Sequence, residues 1–234
     1  CFPRCRGRPS AGVSMQAGQE KKKGITMNRR GLLVVVSGFS GSGKGTLMKL
    51  LMEKYDNYSL SISATTRSPR PGERDGLEYL FKTQEEFLQM IREDAFIEYA
   101  RYVDNYYGTP KDYVEKQLDA GKDVILEIEM QGALKVKEKM PQTLLIFVTP
   151  PTAEELKRRL VSRGTESEEV VAARMAQAKE ESRFMDCYDY ILVNETNQEE
   201  SCMERLHELI QSAHQETSRN EEFIEEMREQ LKNI

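Results

Sequence analysis

The chain carries a glycine-rich segment, GFSGSGKGT, from Gly38 to Thr46. Glycines let successive backbone N–H groups turn toward one point and form a nest for an anion, and a helix that begins there adds the positive end of its dipole. Lys44 supplies a mobile positive charge for the β- and γ-phosphates of a nucleotide. The segment therefore predicts a site for a nucleoside triphosphate. The predicted ATP contacts are Gly38, Phe39, Ser40, Gly41, Ser42, Gly43, Lys44, Gly45 and Thr46.

This segment departs at one position from the common form of a phosphate loop. The common form ends in Gly-Lys followed directly by Ser or Thr. Here Gly45 follows Lys44, and Thr46 comes one residue later. The departure leaves open which hydroxyl, if any, contacts Mg²⁺, and Thr46 is the candidate.

A phosphate loop requires a buried strand before it and a helix after it. Leu32–Ser37 is a continuous apolar run that ends at a glycine, which predicts a buried parallel strand, and Thr46–Lys54 carries leucines at helical spacing. Further strands are predicted at Tyr58–Ser63, Asp123–Glu129, Thr143–Val148 and Tyr190–Val193. Helices are predicted at 111–118, Ala133–Lys139, Ala153–Arg163, Ser167–Arg183, Glu199–His214 and Asn220–Lys232. This alternation predicts an α/β fold with a central, mostly parallel five-stranded sheet flanked by helices.

Residues 64–110 interrupt the alternation with Thr, Arg, Pro, Gly and clustered tyrosines. A helix at Gln84–Arg92 and a strand at Phe96–Arg101 predict a small mixed α+β insertion that binds a substrate. Arg67 and Arg70 lie three residues apart and flank a proline, a rigid pair suited to bidentate phosphate binding. Further along, Tyr79, Tyr107 and the hydroxyl of Thr109 can also hold a phosphate. The carboxylate of Glu98 can accept hydrogen bonds from a base.

Composition excludes several classes of protein. The chain of 234 residues has 38% apolar and 31% charged residues, and it contains no apolar run near the length of a membrane span. Residues 1–30 carry eight Lys or Arg and one acid, which leaves a net charge of −12 on residues 31–234. That acidic body argues against nucleic-acid binding, which requires a basic face. Four cysteines without a C-x-x-C pair and only two histidines indicate a reducing, cytoplasmic protein.

Eight segments follow one another along residues 31–215, in the order GFSGSGKGT, SATTRSPRPGE, GLEY, FIEYA, NYYGTP, ILEIEMQG, RRLVSRGTES and ILVNE. In these segments the chain resembles the guanylate kinases, a family of P-loop nucleoside monophosphate kinases. The resemblance implies an enzyme of purine nucleotide metabolism that transfers the γ-phosphoryl group of ATP to GMP, with Mg²⁺, and gives ADP and GDP. It implies a P-loop kinase core with a GMP-binding insertion and a helical lid.

The GMP site of that family carries over to positions in the insertion. The resemblance implies that Arg67, Arg70, Tyr79 and Tyr107 hold the GMP phosphate. It also implies that Glu98 accepts hydrogen bonds from the guanine N1–H and exocyclic amine, and that the hydroxyls of Ser63 and Thr109 assist it. The implied GMP contacts are Ser63, Arg67, Arg70, Glu73, Tyr79, Glu98, Tyr107 and Thr109.

Two acids, Glu127 and Glu129, stand in the predicted strand of the segment ILEIE, where the family often has aspartates. Their alternation predicts that both side chains share one face of the strand. Carboxylates at a strand end beside a phosphate loop commonly hold Mg²⁺, directly or through water. Glu129 is therefore a metal candidate, and the resemblance implies that Glu127 contacts the guanine side of the cleft.

Three arginines, Arg159, Arg163 and Arg174, lie on the two charged helices around residue 163. The resemblance implies that this hairpin is the lid over ATP, and we assign all three to the charge of the transition state together with Lys44 and Arg67. Asn194, after the last strand, matches a position near the adenine.

The expected organisation is a P-loop core of residues 31–63 and 111–215, with the lid at about 152–183 and the GMP-binding lobe at 64–110. Residues 1–26 are expected to be a disordered or non-native extension, and residues 216–234 a helical tail. The expected partners are ATP and GMP, and use of dGMP is left open. The protein is expected to be a monomer or a homodimer, and to bind neither nucleic acid nor a membrane. The alternatives are a related P-loop small-molecule kinase, a non-catalytic scaffold built on a guanylate kinase domain, and a nucleic-acid binder that uses the basic N-terminus.

Overall fold

The computed structural model describes residues 30–102, 104–162 and 167–232 of the chain, so the predicted extension at 1–26 lies outside the described residues. The strands are β1 Leu33–Gly38, β2 Tyr58–Leu60, β3 Ala64–Thr65, β4 Leu80–Phe81, β5 Phe96–Tyr102, β6 Asn105–Pro110, β7 Asp123–Glu127, β8 Leu144–Thr149 and β9 Tyr190–Val193. The α-helices are α1 Lys44–Lys54, α2 Gln84–Arg92, α3 Lys111–Asp119, α4 Met130–Lys139, α5 Ala153–Ser162, α6 Glu168–Glu181, α7 Glu199–Ala213 and α8 Glu221–Leu231.

Five strands form a parallel sheet in the order β2-β7-β1-β8-β9, which confirms the predicted α/β class. β1 lies at the centre, where Val35 pairs with Leu126 of β7 and Leu145 of β8. A strand buried on both faces needs no polar alternation, which explains the continuous apolar run in its sequence. Because parallel strands end at one edge, the segments that follow β1, β7, β8 and β9 meet there. This edge is where open α/β sheets bind ligands.

Helices cover both faces of this sheet. On one face, Val34 and Val36 pack with apolar side chains of α1 and α7. On the other face, Leu33 and Val35 pack with side chains of α3, α4, α5 and α6. Each fully buried aliphatic side chain stabilises the fold by about 1.5–3 kcal/mol. The loop after β1 therefore starts from a rigid base.

A second sheet, in the order β4-β3-β6-β5, draws all its strands from residues 64–110. β5 and β6 pair antiparallel, β6 pairs antiparallel with β3, and β3 pairs parallel with β4. Helix α2 closes one side, where Phe87 stacks on Phe96 with ring centroids 4.4 Å apart. Thr83 caps this helix in a reciprocal arrangement with Glu86.

The sequence predicted only α2 and β5 within residues 64–110 and missed β3, β4 and β6. β3 and β4 are two residues long and show no alternation. β6 has the sequence NYYGTP, in which Gly and Pro are typical of a turn. It becomes a strand because β5 and β3 pair with it on both sides.

One correction concerns the strand that carries the two acids. The prediction extended it to Glu129, but β7 ends at Glu127, and Glu129 is the residue that precedes α4. Helix α4 begins three residues earlier than predicted and includes Gly132, a residue that weakens a helical pattern. The prediction that both acids share one face of a strand is therefore wrong.

Other element ends differ by a few residues. Helix α1 begins at Lys44, so the lysine of the phosphate loop is already helical. The predicted tail helix is present as α8, and it buries none of its described side chains. None of the helices in the described ranges is long and apolar enough to cross a membrane.

Candidate functional site

The loop between β1 and α1 turns tightly around backbone groups of neighbouring segments. Gly38 has a φ of 146°, and a Cβ at this position would lie 2.0 Å from the carbonyl oxygen of Val148. Gly43 has a φ of 93°, and its Cβ would lie 2.4 Å from Nδ2 of Asn194. Both contacts and both conformations exclude a larger residue. The structure thus explains two of the four glycines in this segment by close approach of other atoms.

The loop forms an open pocket of about 270 Å³ at the start of α1. Its lining residues are Ser40, Gly41, Gly43, Lys44, Gly45, Thr46 and Glu127. Gly43 precedes the helix and offers no capping side chain, and the first turn of α1 carries no acid. The first N–H groups of α1 are therefore available to an anion, and the helix dipole favours negative charge there. Six of the predicted ATP contacts line this pocket.

Lys44 folds back over the loop. Its Nζ donates to the carbonyl oxygens of Gly38 at 2.8 Å and of Phe39 at 3.1 Å. A flexible ammonium group held by weak neutral acceptors can move to a phosphate, which is a stronger, charged acceptor.

Glu127, at the end of β7, lines the same pocket as Lys44. Although Glu127 is an exposed residue, partial desolvation of its carboxylate raises its pKa, and the positive charge of Lys44 acts in the opposite direction. Thr46 brings a hydroxyl to the same pocket. Carboxylate and hydroxyl oxygens suit Mg²⁺, which usually takes one or two protein ligands together with nucleotide phosphates and water. Among the described residues no group of three or more His, Cys, Asp or Glu could hold a metal by itself. The pocket fits a metal ion that arrives with a nucleotide.

A cluster of polar and aromatic side chains surrounds Arg67 in the insertion. Glu73 binds the guanidinium of Arg67 with two hydrogen bonds, of 3.0 and 2.9 Å, which raises the pKa of Arg67 and lowers that of Glu73. The Arg67 guanidinium also lies 5.2 Å from the ring centroid of Tyr79. Tyr79 and Tyr107 contact each other with centroids 6.2 Å apart. Four predicted GMP contacts are thus brought together.

Arg70 and Ser63 make backbone contacts with residues of the insertion. The backbone N–H of Arg70 donates to Glu73 Oε2 at 2.7 Å, and the Arg70 side chain is exposed. Ser63 precedes β3, and its carbonyl accepts from the N–H of Leu80 at 2.9 Å.

Glu98 is a nearly buried carboxylate on β5. It pairs across the strands with Thr109 of β6, whose hydroxyl donates to Oε1 at 2.9 Å. Glu98 is 9% exposed, and this burial raises the pKa of its carboxyl, while the Thr109 hydrogen bond lowers it. The charge of Glu129 also raises that pKa. Gly132 lies beside the second oxygen, since a Cβ at this position would lie 3.5 Å from Oε2.

Behind the phosphate loop, two side chains share one acceptor. The buried amide of Asn194 donates to the carbonyl oxygen of Ser42 at 2.9 Å, and Nη1 of Arg159 donates to the same oxygen at 3.3 Å. Nη2 of Arg159 donates to the carbonyl of Asn194 at 2.9 Å. Sequence reasoning missed the side-chain partners of Arg159, which are Glu155 and Thr196. The spacing of four residues between Glu155 and Arg159 was the available signal.

Of the other two arginines of the predicted lid, Arg174 lies among the described residues and Arg163 does not. Nη1 of Arg174, on α6, donates to the hydroxyl of Ser40 at 2.6 Å and so links α6 to the phosphate loop.

Comparisons with known proteins agree on one family. A family model described as guanylate kinase matches residues 30–213. The guanylate kinase of Lactococcus lactis subsp. lactis (strain IL1403) is 53% identical over 193 residues, which cover 82% of this chain and 93% of the relative. That of Caldanaerobacter subterraneus subsp. tengcongensis is 48% identical over 206 residues, covering 88% and 99%. The crystal structure of guanylate kinase from Anaplasma phagocytophilum superposes with a TM-score of 0.63 at 31% identity, covering 83% of this chain and 92% of that one.

Proposed function

The chain belongs to the guanylate kinase family, and we propose on that basis that it transfers the γ-phosphoryl group of ATP to GMP and releases ADP and GDP. It is thus an ATP:GMP phosphotransferase, a nucleoside monophosphate kinase.

The observation that carries the identity of the acceptor is the buried pair of Glu98 and Thr109. Guanine presents two adjacent donors, its N1–H and its exocyclic amine, and a carboxylate is an acceptor with room for both. Adenine has no N1–H and places its amine elsewhere on the ring, so it cannot satisfy a buried carboxylate in this way. A buried acceptor left without a donor is costly, which is how such a site rejects the wrong base.

The phosphate of GMP is assigned to Arg67, Arg70, Tyr79 and Tyr107. Glu73 acts on this group through Arg67, since it holds the guanidinium by two hydrogen bonds. Nη1 of Arg67 also donates to the carbonyl oxygen of Ser68 at 2.8 Å, so the phosphate is assigned to Nε and to the second N–H of Nη2. The hydroxyl of Ser63 remains a predicted contact of the guanine.

Phosphoryl transfer needs no general base here, because the acceptor is a phosphate monoester that is already ionised at neutral pH. The barrier comes from repulsion between anions and from their alignment. Lys44, Arg67 and Arg174 are assigned to the charge of the transferring group, and Arg163 keeps the same predicted role. Closure of α5 and α6 over ATP would exclude water that otherwise hydrolyses the nucleotide.

Mg²⁺ would be held by Thr46 and Glu127, which line the pocket with Lys44. When bound, it neutralises charge on the β- and γ-phosphates. This assignment exchanges the roles predicted for the two acids. Glu127 shares its pocket with Lys44, whereas the charge of Glu129 acts on Glu98, and so we assign Glu129 to the guanine side.

The proposed location is the cytoplasm. Both described cysteines, Cys187 and Cys202, are free thiols, as a reducing compartment would keep them. The assembly state, monomer or homodimer, stays a prediction.

A coupled assay of ADP release tests the function, with ATP–Mg²⁺ and GMP, AMP, CMP or UMP as acceptor. The proposal expects rapid turnover with GMP only. Turnover without an acceptor preference would support the assignment of the phosphate loop and contradict the assignment of the guanine site. GMP binding without turnover would instead favour a non-catalytic scaffold.

A further inference from the structure

Arg159 is engaged on all three nitrogens of its guanidinium. Nε donates to Oε1 of Glu155 at 2.7 Å, and Nη1 and Nη2 donate to the carbonyls of Ser42 and Asn194. The side chain is 16% exposed. A guanidinium donates only in its own plane, so acceptors on three nitrogens fix its orientation. In this arrangement Arg159 holds in place the carbonyl of Ser42, in the phosphate loop, and the carbonyl of Asn194.

Glu155 is the anion at the centre of this arrangement. Its Oε1 accepts from Nε of Arg159 and, at 2.6 Å, from the hydroxyl of Thr196 in the segment after β9. Arg158 donates to both carboxylate oxygens, at 2.6 and 2.7 Å. The hydrogen bonds from Arg158, Thr196 and Arg159 hold the pKa of Glu155 well below its usual range. The carboxylate therefore stays ionised throughout the pH range in which a kinase works.

The orientation of the Ser42 carbonyl sets the direction of the next N–H group. In a trans peptide unit the C=O of one residue and the N–H of the next point in opposite directions. Arg159 and Asn194 hold the Ser42 carbonyl from behind the loop. The N–H of Gly43, a residue that lines the phosphate pocket, must then point away from these donors.

We propose that Glu155 and Thr196 are positioning residues of the nucleotide site. They hold Arg159 against the carbonyls of Ser42 and Asn194, and Arg159 in turn aims the N–H of Gly43 at the phosphates. This inference rests on the proposed function, and it gives Arg159 a role in loop geometry rather than in the charge of the transition state. The two roles differ in a measurable way. A positioning role affects every nucleotide that occupies the loop, including ADP, which has no phosphoryl group to transfer.

The experiment compares Thr196→Val with Thr196→Ser. Valine keeps the shape of threonine and removes the hydroxyl, whereas serine keeps the hydroxyl. Glu155→Gln is the second test, and Arg158→Gln is its matched control, because the exposed Arg158 side chain binds the same carboxylate and its hydrogen bonds within the described residues go to Glu155 rather than to the loop. The measurements are the affinity for ADP by titration calorimetry, the KM for ATP and for GMP, kcat and the melting temperature.

We expect Thr196→Val and Glu155→Gln to weaken ADP binding and raise the KM for ATP by about three- to tenfold, the loss of roughly one hydrogen bond. The KM for GMP should not change, and Thr196→Ser and Arg158→Gln should behave as the parent protein. Thr196 is exposed, so its variants are expected to fold even if Glu155→Gln does not.

Three outcomes would overturn the proposal. These are an unchanged ADP affinity in Thr196→Val, an equal loss in Thr196→Ser, and a fall in kcat with ADP binding intact. Failure of the proposed function is distinguishable, because ADP binding requires no GMP. A parent protein that makes no GDP would refute the kinase assignment, and the ADP affinities would still decide the role of Glu155 and Thr196.

Discussion

Glu98 and Thr109 face each other across β5 and β6, and the hydroxyl of Thr109 donates to the nearly buried carboxylate of Glu98 at 2.9 Å. This hydrogen bond occupies one site on one oxygen of a group that can accept several. The pair is thus a partly filled acceptor inside the insertion, which is what recognition of two adjacent N–H donors requires.

Replacing Glu98 with Gln should weaken GMP selectively. An amide has one acceptor oxygen, and its NH₂ group would face the donors of the base. Hydrogen bonds to a charged group contribute about 1.5–3 kcal/mol, so the KM for GMP should rise by roughly 10- to 150-fold. The KM for ATP should not change, and the melting temperature should be equal or higher, because a buried charge is removed. An equal loss for both substrates would show that the Glu98→Gln substitution distorts the fold instead.

The affinity for GMP should also depend on pH through Glu98. Burial raises the pKa of this carboxyl, so it takes up a proton at a higher pH than an exposed glutamate does. The protonated form cannot accept two N–H groups, and the KM for GMP should therefore rise as the pH falls through that raised pKa. In the same window the stability of the free protein should rise as the pH falls, since burial favours the neutral form of the carboxyl.

The measurement is a pH series of the KM for GMP in the parent protein and in Glu98→Gln. The phosphate of GMP titrates near pH 6 in both, so the variant isolates the contribution of the carboxyl. Identical pH profiles of the two proteins would contradict the role of Glu98.

The sequence predicted those parts of the molecule whose pattern is local. β1 and the phosphate loop are adjacent in the chain, and a long apolar run followed by glycines and Lys44 has few other interpretations. The five-stranded sheet followed from the same alternation of strands and helices. Strands β3, β4 and β6 were missed, because pairing with distant segments forms them and their own residues do not.

In the site, too, contacts between residues distant in the sequence could not be predicted. The bond from Thr196 to Glu155 joins residues 41 positions apart, and that from Asn194 to Ser42 joins residues 152 positions apart. No local pattern encodes either contact. Residue spacing supplied Arg67 as a candidate and the resemblance supplied others such as Glu73, but neither indicated that Arg159 contacts the carbonyl side of the loop.

Lys44→Met should abolish most turnover while leaving GMP binding intact. Methionine keeps much of the length of the side chain and removes the charge that neutralises the transferring phosphoryl group. Removing one electrostatic donor of this kind typically lowers kcat by about 10²–10³-fold. The dissociation constant of GMP, measured by calorimetry without ATP, is the control, since Lys44 lines the pocket that we propose for the nucleoside triphosphate. Equal losses in kcat and in GMP affinity would contradict this role.

Gly43 and Gly45 offer a matched pair for testing the geometry of the loop by stability alone. A Cβ on Gly43 would lie 2.4 Å from Nδ2 of the buried Asn194, at a φ of 93° that disfavours any side chain. A Cβ on Gly45 would meet nothing within 4 Å among the described residues, and this position is in the first turn of α1. Gly43→Ala should therefore lower the free energy of unfolding by about 1–3 kcal/mol. Gly45→Ala should raise it by up to about 1 kcal/mol, because alanine favours a helix over glycine. Urea unfolding of both variants measures the difference, and a loss of similar size in both would show that the loop does not approach Asn194 as closely as this structure has it.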